Sequence, residues 1–273
     1  MKLKNKTVFI TGGSRGIGRA IALKLAAEGA NITIAAKSVK EDPRLGGTIF
    51  SVAEEIEKVG GKALPVQCDI RFEKQINAAV EKTISTFKGI DILINNASAI
   101  DLNNTEKLSS KKFDLMHQIN IRGTFLAGKA CLPYLKKAEQ AHILTLAPPL
   151  NMDKKWLKNH AAYTLSKYGM TMLTLGWAEE CKNFNLAANT LWPKTTIDTA
   201  AVRNLLGGEK LANRSRKPQI MADAAFAILS KTGKNIYSGQ TLIDEEVLTA
   251  EGITDLKKYA VDKNAELFPD LFL

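Results

Sequence analysis

Tyr163 and Lys167 stand four residues apart in the segment YTLSK, so on a helix they share one face. A free phenol loses its proton only near a pKa of about 10. A neighbouring ammonium, joined by the positive ring of an oxidised nicotinamide, favours the phenolate and lowers that value. The tyrosine can then exchange a proton with a carbonyl or alcohol oxygen, and the lysine can also hold a ribose. This spacing is common by chance, and a second pattern gives it weight. The run TGGSRGIG, Thr11 to Gly18, follows an apolar stretch and opens a helix. Gly12, Gly16 and Gly18 let backbone approach a pyrophosphate where Cβ atoms would block it. The helix start offers free N–H groups and positive potential to the phosphates, with Ser14, Arg15 and Ile17 along the same loop. A ligand-free strand-to-helix turn would use the same glycines. The place, between first strand and first helix, is where doubly wound sheets bind dinucleotides.

The residues after the second strand bear on which dinucleotide. Sites for NAD commonly carry an acid there to hold the ribose 2′-OH. Here the strand ends Ala35-Ala36-Lys37-Ser38, with no carboxylate. Lys37 and Arg15 suit the 2′-phosphate of NADP, the cofactor expected; the alternative is that Lys37 is an ordinary surface lysine.

Positioning these residues requires alternating strands and helices. Thr7 to Thr11, Asn31 to Ala36, Ala63 to Gln67, Asp91 to Asn95, His142 to Ala147, Ala187 to Trp192 and Thr241 to Asp244 read as strands. Helices are expected over Arg15 to Glu28, around Ser51 to Val59, over Lys111 to Lys137 with Pro133 near its end, over Ala161 to Cys181 and near Ala222 to Lys231. Phe72, Ile76, Val80, Ile84 and Phe87 recur at helical spacing and predict a buried stripe. Pro193 to Pro218 reads as irregular and mobile. The alternation predicts an α/β fold: a doubly wound parallel sheet in three αβα layers, as one domain over 1–273. Residues 194–218 are expected to form a substrate lid and 246–273 a C-terminal extension.

Further segments complete a constellation: Cys68-Asp69-Ile70, Asn95-Asn96-Ala97-Ser98, Asn120 in QINIRG, and Trp192-Pro193-Lys194-Thr195. Together with the glycine loop and YTLSK they resemble the short-chain dehydrogenase/reductase family over nearly the whole chain. The resemblance implies a Rossmann fold and an NADP-dependent oxidoreductase that moves a hydride between nicotinamide and a carbonyl or secondary alcohol. It makes Tyr163 the general acid of the reduction, and Lys167 the group that lowers its pKa and binds the ribose. It has Asn120 hold a water linking that lysine to solvent. Asp69 and Ile70 would sit at the adenine, Asn96 and Ala97 beside the fourth strand, and Pro193, Thr195, Ile197 or Thr199 at the nicotinamide end. It also implies a homodimer or homotetramer paired through the long helices carrying Asn120 and Tyr163. Stretches such as IAAKSVKEDPRLGGTI, APPLN and FPDLFL resemble a hydroxysteroid-dehydrogenase-like branch of the family. Animal members of that branch continue into a sterol-carrier domain, a function not expected of these 273 residues.

Two departures stand out. The family usually has a serine after the fifth strand that hydrogen-bonds the substrate oxygen, whereas the chain reads Thr145-Leu146-Ala147-Pro148-Pro149. Asn151, His160 or a water could substitute, although His160 reads equally as a helix-start residue; without a substitute, the chain would bind NADP without turnover. Lys194 replaces a usual glycine, and its side chain could narrow the nicotinamide pocket or meet an anionic substrate.

Net charge is +10. Arg203, Lys210, Arg214, Arg216 and Lys217 in the lid, with Lys154, Lys155, Lys158 and Trp156 near the tyrosine, either attract an anionic or acyl substrate such as a coenzyme A thioester or form a solvated rim. Leu205, Leu206 and Leu211 suggest an apolar lid. No long basic run with interleaved aromatics points to nucleic acid. Cys68, Cys131 and Cys181 are widely spaced, which argues against a disulfide framework or a metal site. No apolar run approaches the ~20 residues of a membrane span, and a cytoplasmic location is expected.

Overall fold

A computed structural model of the protein describes residues 1–233 and 236–273; the Leu205 side chain, named above for the lid, lies outside the described residues. Strands β1 (Thr7–Thr11), β2 (Asn31–Ala36), β3 (Lys62–Gln67), β4 (Ile92–Asn95), β5 (Ala141–Thr145), β6 (Leu186–Trp192) and β7 (Thr241–Ile243) form one sheet. Its order is β3-β2-β1-β4-β5-β6-β7. Every pairing is parallel. The pleat explains the apolar runs: Val8 and Ile10 of β1 enter one core layer while Phe9 enters the other. One face carries α1 (Gly16–Ala27), α2 (Ile49–Lys58), α9 (Gln219–Leu229) and α10 (Asp244–Ala250); the other carries α3 (Glu73–Phe87), α5 (Thr124–Leu135) and α7 (Ala161–Glu180). This is the three-layer, doubly wound fold that the alternation predicts. The order reverses between β1 and β4, which opens a crevice at the carboxyl ends of the strands.

Several local expectations need correction. The helix expected over Lys111 to Lys137 is three pieces: α4 (Ser110–His117), a π turn over Gln118–Gly123, and α5. In the stripe of α3, Ile76 and Val80 are buried but Phe72 is exposed, because it is the residue before the helix rather than part of its inner face. The segment 194–218 is not irregular: it holds a π turn over Val202–Leu206 and the short helix α8 (Gly208–Asn213). A short helix α6 (Lys155–Lys158) precedes α7. Among the described residues, no helix is long and apolar enough to cross a membrane, and no cluster of side chains could hold a metal.

Candidate active site

The glycine loop is built by local backbone need. Gly12 and Gly16 have φ of 71° and 54°, the left-handed region that favours glycine. A Cβ on Gly18 would lie 2.4 Å from Asn96 Nδ2 and 2.7 Å from the Gly12 carbonyl oxygen. Asn96 fastens the loop to β4 by donating from Nδ2 to the carbonyls of Thr11 and Gly12 at 3.0 and 2.9 Å. Thr11, which spacing did not single out, accepts at Oγ1 from the backbone N–H groups of Asn96 and Ala97 at 3.1 and 3.2 Å. Helix α1 begins at Gly16 with no capping side chain and no acid in its first turn. Its first N–H groups therefore lack side-chain partners, the arrangement that receives phosphate. Buried Thr195 Oγ1, in the segment after β6, also lacks a partner. The cradle and this orphaned hydroxyl fit a dinucleotide.

At the far end of β2, Arg15 donates to Ser38 Oγ at 2.5 Å and reaches the Gly47 carbonyl at 3.5 Å. Gly47 has φ of 67°, and a Cβ there would meet the Ser14 carbonyl oxygen at 2.3 Å, so the loop before α2 lies directly on the glycine loop. Lys37 is exposed nearby. Asp69 is gripped by Arg71, with Nε at 3.0 Å from both carboxylate oxygens, and that hydrogen bonding holds its carboxyl below the usual range. Ile70 faces the core, where a Cβ on Gly123 would lie 2.5 Å from its Cδ1.

Tyr163 and Lys167 come to the crevice on α7, 5% and 2% exposed. Lys167 Nζ donates to the Leu146 carbonyl at 2.6 Å and lies 5.0 Å from the centre of the Trp192 ring. Among the described residues, no group hydrogen-bonds the Tyr163 hydroxyl. Burial pushes this phenol above its usual range, and the Asp270 carboxylate adds to the rise. Burial pulls Lys167 down to about 7, against the opposing pull of Asp270. The lowering of Tyr163 expected from the adjacent lysine is thus reversed in the protein alone, because desolvation penalises both charged forms. Asp270, in the FPDLFL stretch but given no role there, is itself pushed up to about 7 by burial.

Asn120 has no side-chain capacity left for a water. Its Nδ2 donates to the Ala99 carbonyl at 2.9 Å and to Ser166 Oγ at 2.8 Å. Its Oδ1 accepts from the Ala99 N–H at 2.8 Å and Ser98 Oγ at 3.2 Å. The residue ties the loop after β4 to α7, and a water here must bond backbone instead. Asn151, considered as a replacement for the missing serine, spends Nδ2 on the Phe272 carbonyl at 3.2 Å. His160 lies 3.0 Å from Thr164 Oγ1 through Nδ1 at the start of α7, and burial lowers its pKa.

Pro193 and Ile197 are buried in the segment after β6, and Lys194 is exposed. Arg203 pairs with Asp198 at 2.7 Å, Arg214 with Glu266 at 3.6 Å and buried Arg216 with Glu245 at 2.6 Å. Of the five lid cations, Lys210 and Lys217 are exposed and have no ion-pair partner among the described residues. This stretch leans on the cofactor end: Thr199 Cγ2 would meet a Cβ on Gly16 at 3.3 Å, and Asn204 Nδ2 donates to the Arg44 carbonyl at 2.5 Å. Tyr163 packs instead with Leu271, Phe272 and Leu273.

Comparisons with known proteins bear on the family and the fold. Residues 6–209 match the family described as short chain dehydrogenase. Hydroxysteroid dehydrogenase-like protein 2 of Xenopus laevis is 57% identical over 272 residues, covering 100% of this chain and 64% of that protein. The chain thus spans less than two thirds of such relatives. A crystal structure described as a dehydrogenase from Xanthomonas campestris superposes with a TM-score of 0.96 at 52% identity, covering 100% of this chain and 99% of that one. A metagenomic short-chain oxidoreductase in complex with NADP shares the fold at a TM-score of 0.73 and 24% identity, covering 89% of this chain and 98% of that one.

Proposed function

The chain belongs to the short-chain dehydrogenase family, and from that premise we propose that it is an NADP-dependent reductase of small carbonyl compounds with Tyr163 as the proton donor. The observation that carries this reading is the Tyr163 hydroxyl: buried at the crevice one helical turn from Lys167, with no hydrogen-bond partner among the described residues. A protonated phenol is the form a reduction needs. When bound, the cofactor supplies the hydride. The chain's own residues do the rest. Gly12, Gly16, Gly18 and the start of α1 hold the pyrophosphate, with Ser14 and Ile17 along the loop. Arg15, steadied by Ser38, and exposed Lys37 meet the 2′-phosphate, with Asp69 engaged by Arg71. Asp69 and Ile70 border the adenine through backbone; Asn96 and Ala97 line the crevice by fixing the loop; Pro193, Thr195 and Ile197 border the nicotinamide end, where the Thr195 hydroxyl is unspent. Lys167 holds the ribose, and Asn120 fixes the α7 register.

On this reading the protein is cytoplasmic, with 194–218 as a lid, 246–273 as an extension of the same domain, and a homodimer or homotetramer as its assembly. An apolar groove of about 710 Å³ between α5 and α7, lined by Phe125, Leu132, Met172 and Leu173, supports pairing through those helices. The substrate is a carbonyl or alcohol; the exposed lysines 154, 155 and 158 favour an anionic or acyl one.

The test is NADPH oxidation against a panel of aldehydes, ketones and acyl thioesters. Turnover should vanish in Tyr163→Phe, and activity that persists rejects the mechanism. Arg15→Ala should narrow the preference for NADPH over NADH by about tenfold or more, the scale of a charge-assisted hydrogen bond; an unchanged preference rejects the 2′-phosphate assignment. A second reading, NADP binding without turnover, is favoured by fully buried Ala147 at the serine position. It requires cofactor binding with no turnover on any panel member.

A further inference from the structure

Two stretches from opposite sides of the β1–β4 boundary meet beside the glycine loop. One is the connection from β2 to α2, residues 37–48; the other follows β6 and holds the π turn Val202–Leu206. Each touches the loop that receives the pyrophosphate. A Cβ on Gly47 would meet the Ser14 carbonyl oxygen at 2.3 Å, and one on Gly16 would meet Thr199 Cγ2 at 3.3 Å. The two stretches join through Asn204, whose Nδ2 donates to the Arg44 carbonyl; among the described residues this is the one hydrogen bond between them. The glycine loop, the connection after β2, Asn204 and Thr199 therefore form a closed circuit at the start of α1.

Both arms of that circuit are firm, and their junction is not. Asp42 folds the first arm into a turn: its Oδ1 accepts from the N–H groups of Arg44 and Leu45 at 2.8 and 3.2 Å, and its carbonyl from that of Gly46 at 2.7 Å. In the second arm, Asp198 accepts from Arg203 Nε and Nη2 at 2.7 and 2.8 Å, and the Thr199 carbonyl accepts from the Arg203 N–H at 3.0 Å. Among the described side chains of the turn, Val202 is the buried anchor, while Arg203, Asn204 and Leu206 are exposed. A turn held by so little buried apolar surface opens at low cost. The net gain from one exposed hydrogen bond is also small, so the junction is the link that breaks first.

We propose that Asn204 is a gating residue of the cofactor site: its bond to the Arg44 carbonyl straps the segment after β6 to the loop after β2, and a dinucleotide enters and leaves the phosphate cradle only when that bond opens. Opening of such loops sets release rates in many enzymes. The bond joins protein to protein, so it raises the barrier to entry and to exit alike and sets rates rather than affinity. It rests on the reading that seats a dinucleotide on the glycine loop, and not on Tyr163.

The test is stopped-flow fluorescence of NADPH, or of NADH if only that binds, during binding to the full chain and displacement from it. Four proteins are compared: the unaltered chain, Asn204→Ala, Asn204→Leu and Asn204→Gln. In Asn204→Ala the association and dissociation rate constants should both rise about fivefold, the scale of one net hydrogen bond, with Kd within about twofold. Asn204→Leu, similar in size but without a donor, should match alanine, and it carries the test if Asn204→Ala does not fold. Asn204→Gln keeps an amide donor and should rise less than either. Unchanged rate constants overturn the proposal. So does a weaker Kd with association unchanged, the mark of a residue that contacts the cofactor. Equally faster exchange in all three variants, the mark of general loosening, overturns it too. If the unaltered protein binds neither NADPH nor NADH, the cofactor reading fails and the strap falls with it. A chain that binds cofactor but exchanges it at the same rates in every variant loses the strap alone.

Discussion

The two ends of the crevice are assembled from different stretches of chain. At the phosphate end, the loop Thr11–Gly18, the end of β2 and the Asn96 anchor all come from the first 96 residues, and backbone geometry does most of the work. At the tyrosine end, Leu146, Tyr163, Trp192, Lys194, Asp270 and Phe272 meet from across more than 120 positions, and side-chain burial does the work. On the proposed function, the first end receives a group found in every dinucleotide, and the second places the tyrosine. Damage at the first should therefore abolish cofactor binding outright, whereas changes at the second should redistribute stability and substrate preference.

Gly18→Val is the harshest trial of that contrast. Its Cβ would lie 2.4 Å from Asn96 Nδ2, so the anchor and the loop must part. NADPH affinity, followed by fluorescence titration, should fall at least a thousandfold, about 4 kcal/mol. Binding within tenfold of the unaltered protein would show that the loop does not approach the ligand.

Asn120→Ala strikes the other end. It leaves both backbone groups of Ala99 without their side-chain partner and removes the link to Ser166. Unpaired buried groups cost about 1–3 kcal/mol each, so a stability loss of about 2–4 kcal/mol is expected in urea unfolding. Cofactor affinity per folded molecule should change little. A large loss of affinity at unchanged stability would make the two ends one unit and erase the distinction drawn above.

The same contrast governs what the sequence disclosed. The glycine loop and the pair Tyr163 and Lys167 are legible because their chemistry needs neighbours within one loop or one helical turn, and spacing records that. The parallel sheet is legible because strands buried on both faces become apolar runs. Thr11, Ser38 and Gly47 left only weak marks, since a threonine ending a strand and a glycine in a loop have many other uses. Asp270 and Phe272 stand in the FPDLFL stretch that carries the resemblance, yet nothing in it assigns them to the tyrosine, because their positions depend on how Phe268–Leu273 lies along the segment after β6. Reversal of the expected Tyr163 shift has the same origin: spacing shows the lysine nearby but not the ring above.

His142 tests the sheet between the two ends. It sits in β5, buried, and burial lowers its pKa to about 4 against the raising effect of the Lys231 backbone. The folded value lies below the unfolded one, so the folded state binds fewer protons between them. Its contribution is full above about pH 6.5 and is lost as pH falls toward 4. From pH 6.5 to 5 the loss should reach at most about 2 kcal/mol, at about 1.4 kcal/mol per unit. His142→Leu should flatten that part of the stability profile in thermal melts and leave NADPH affinity alone. A profile as steep in the variant as in the unaltered protein would assign the acid sensitivity to other groups.

Ala147→Ser should have the smallest effect, and it bears most directly on whether the tyrosine end is complete. A donor to the reacting oxygen is commonly worth on the order of 100-fold in rate, and restoring one would give a gain of that size if nothing local competed for it. The surroundings argue otherwise. Ala147 is fully buried, and its own N–H turns back to the Thr145 carbonyl at 2.9 Å. The hydroxyls nearby are already satisfied within the chain: Thr145 pairs with Thr174 at 2.7 Å, and Thr171 donates to the Pro148 carbonyl at 2.7 Å. A serine hydroxyl placed among them has a local carbonyl within easier reach than a substrate oxygen, and short polar side chains take such local bonds. The rate on a carbonyl substrate should therefore change less than threefold. A gain near 100-fold would mean that the chamber lacks only this donor and that the unaltered site is idle for want of it.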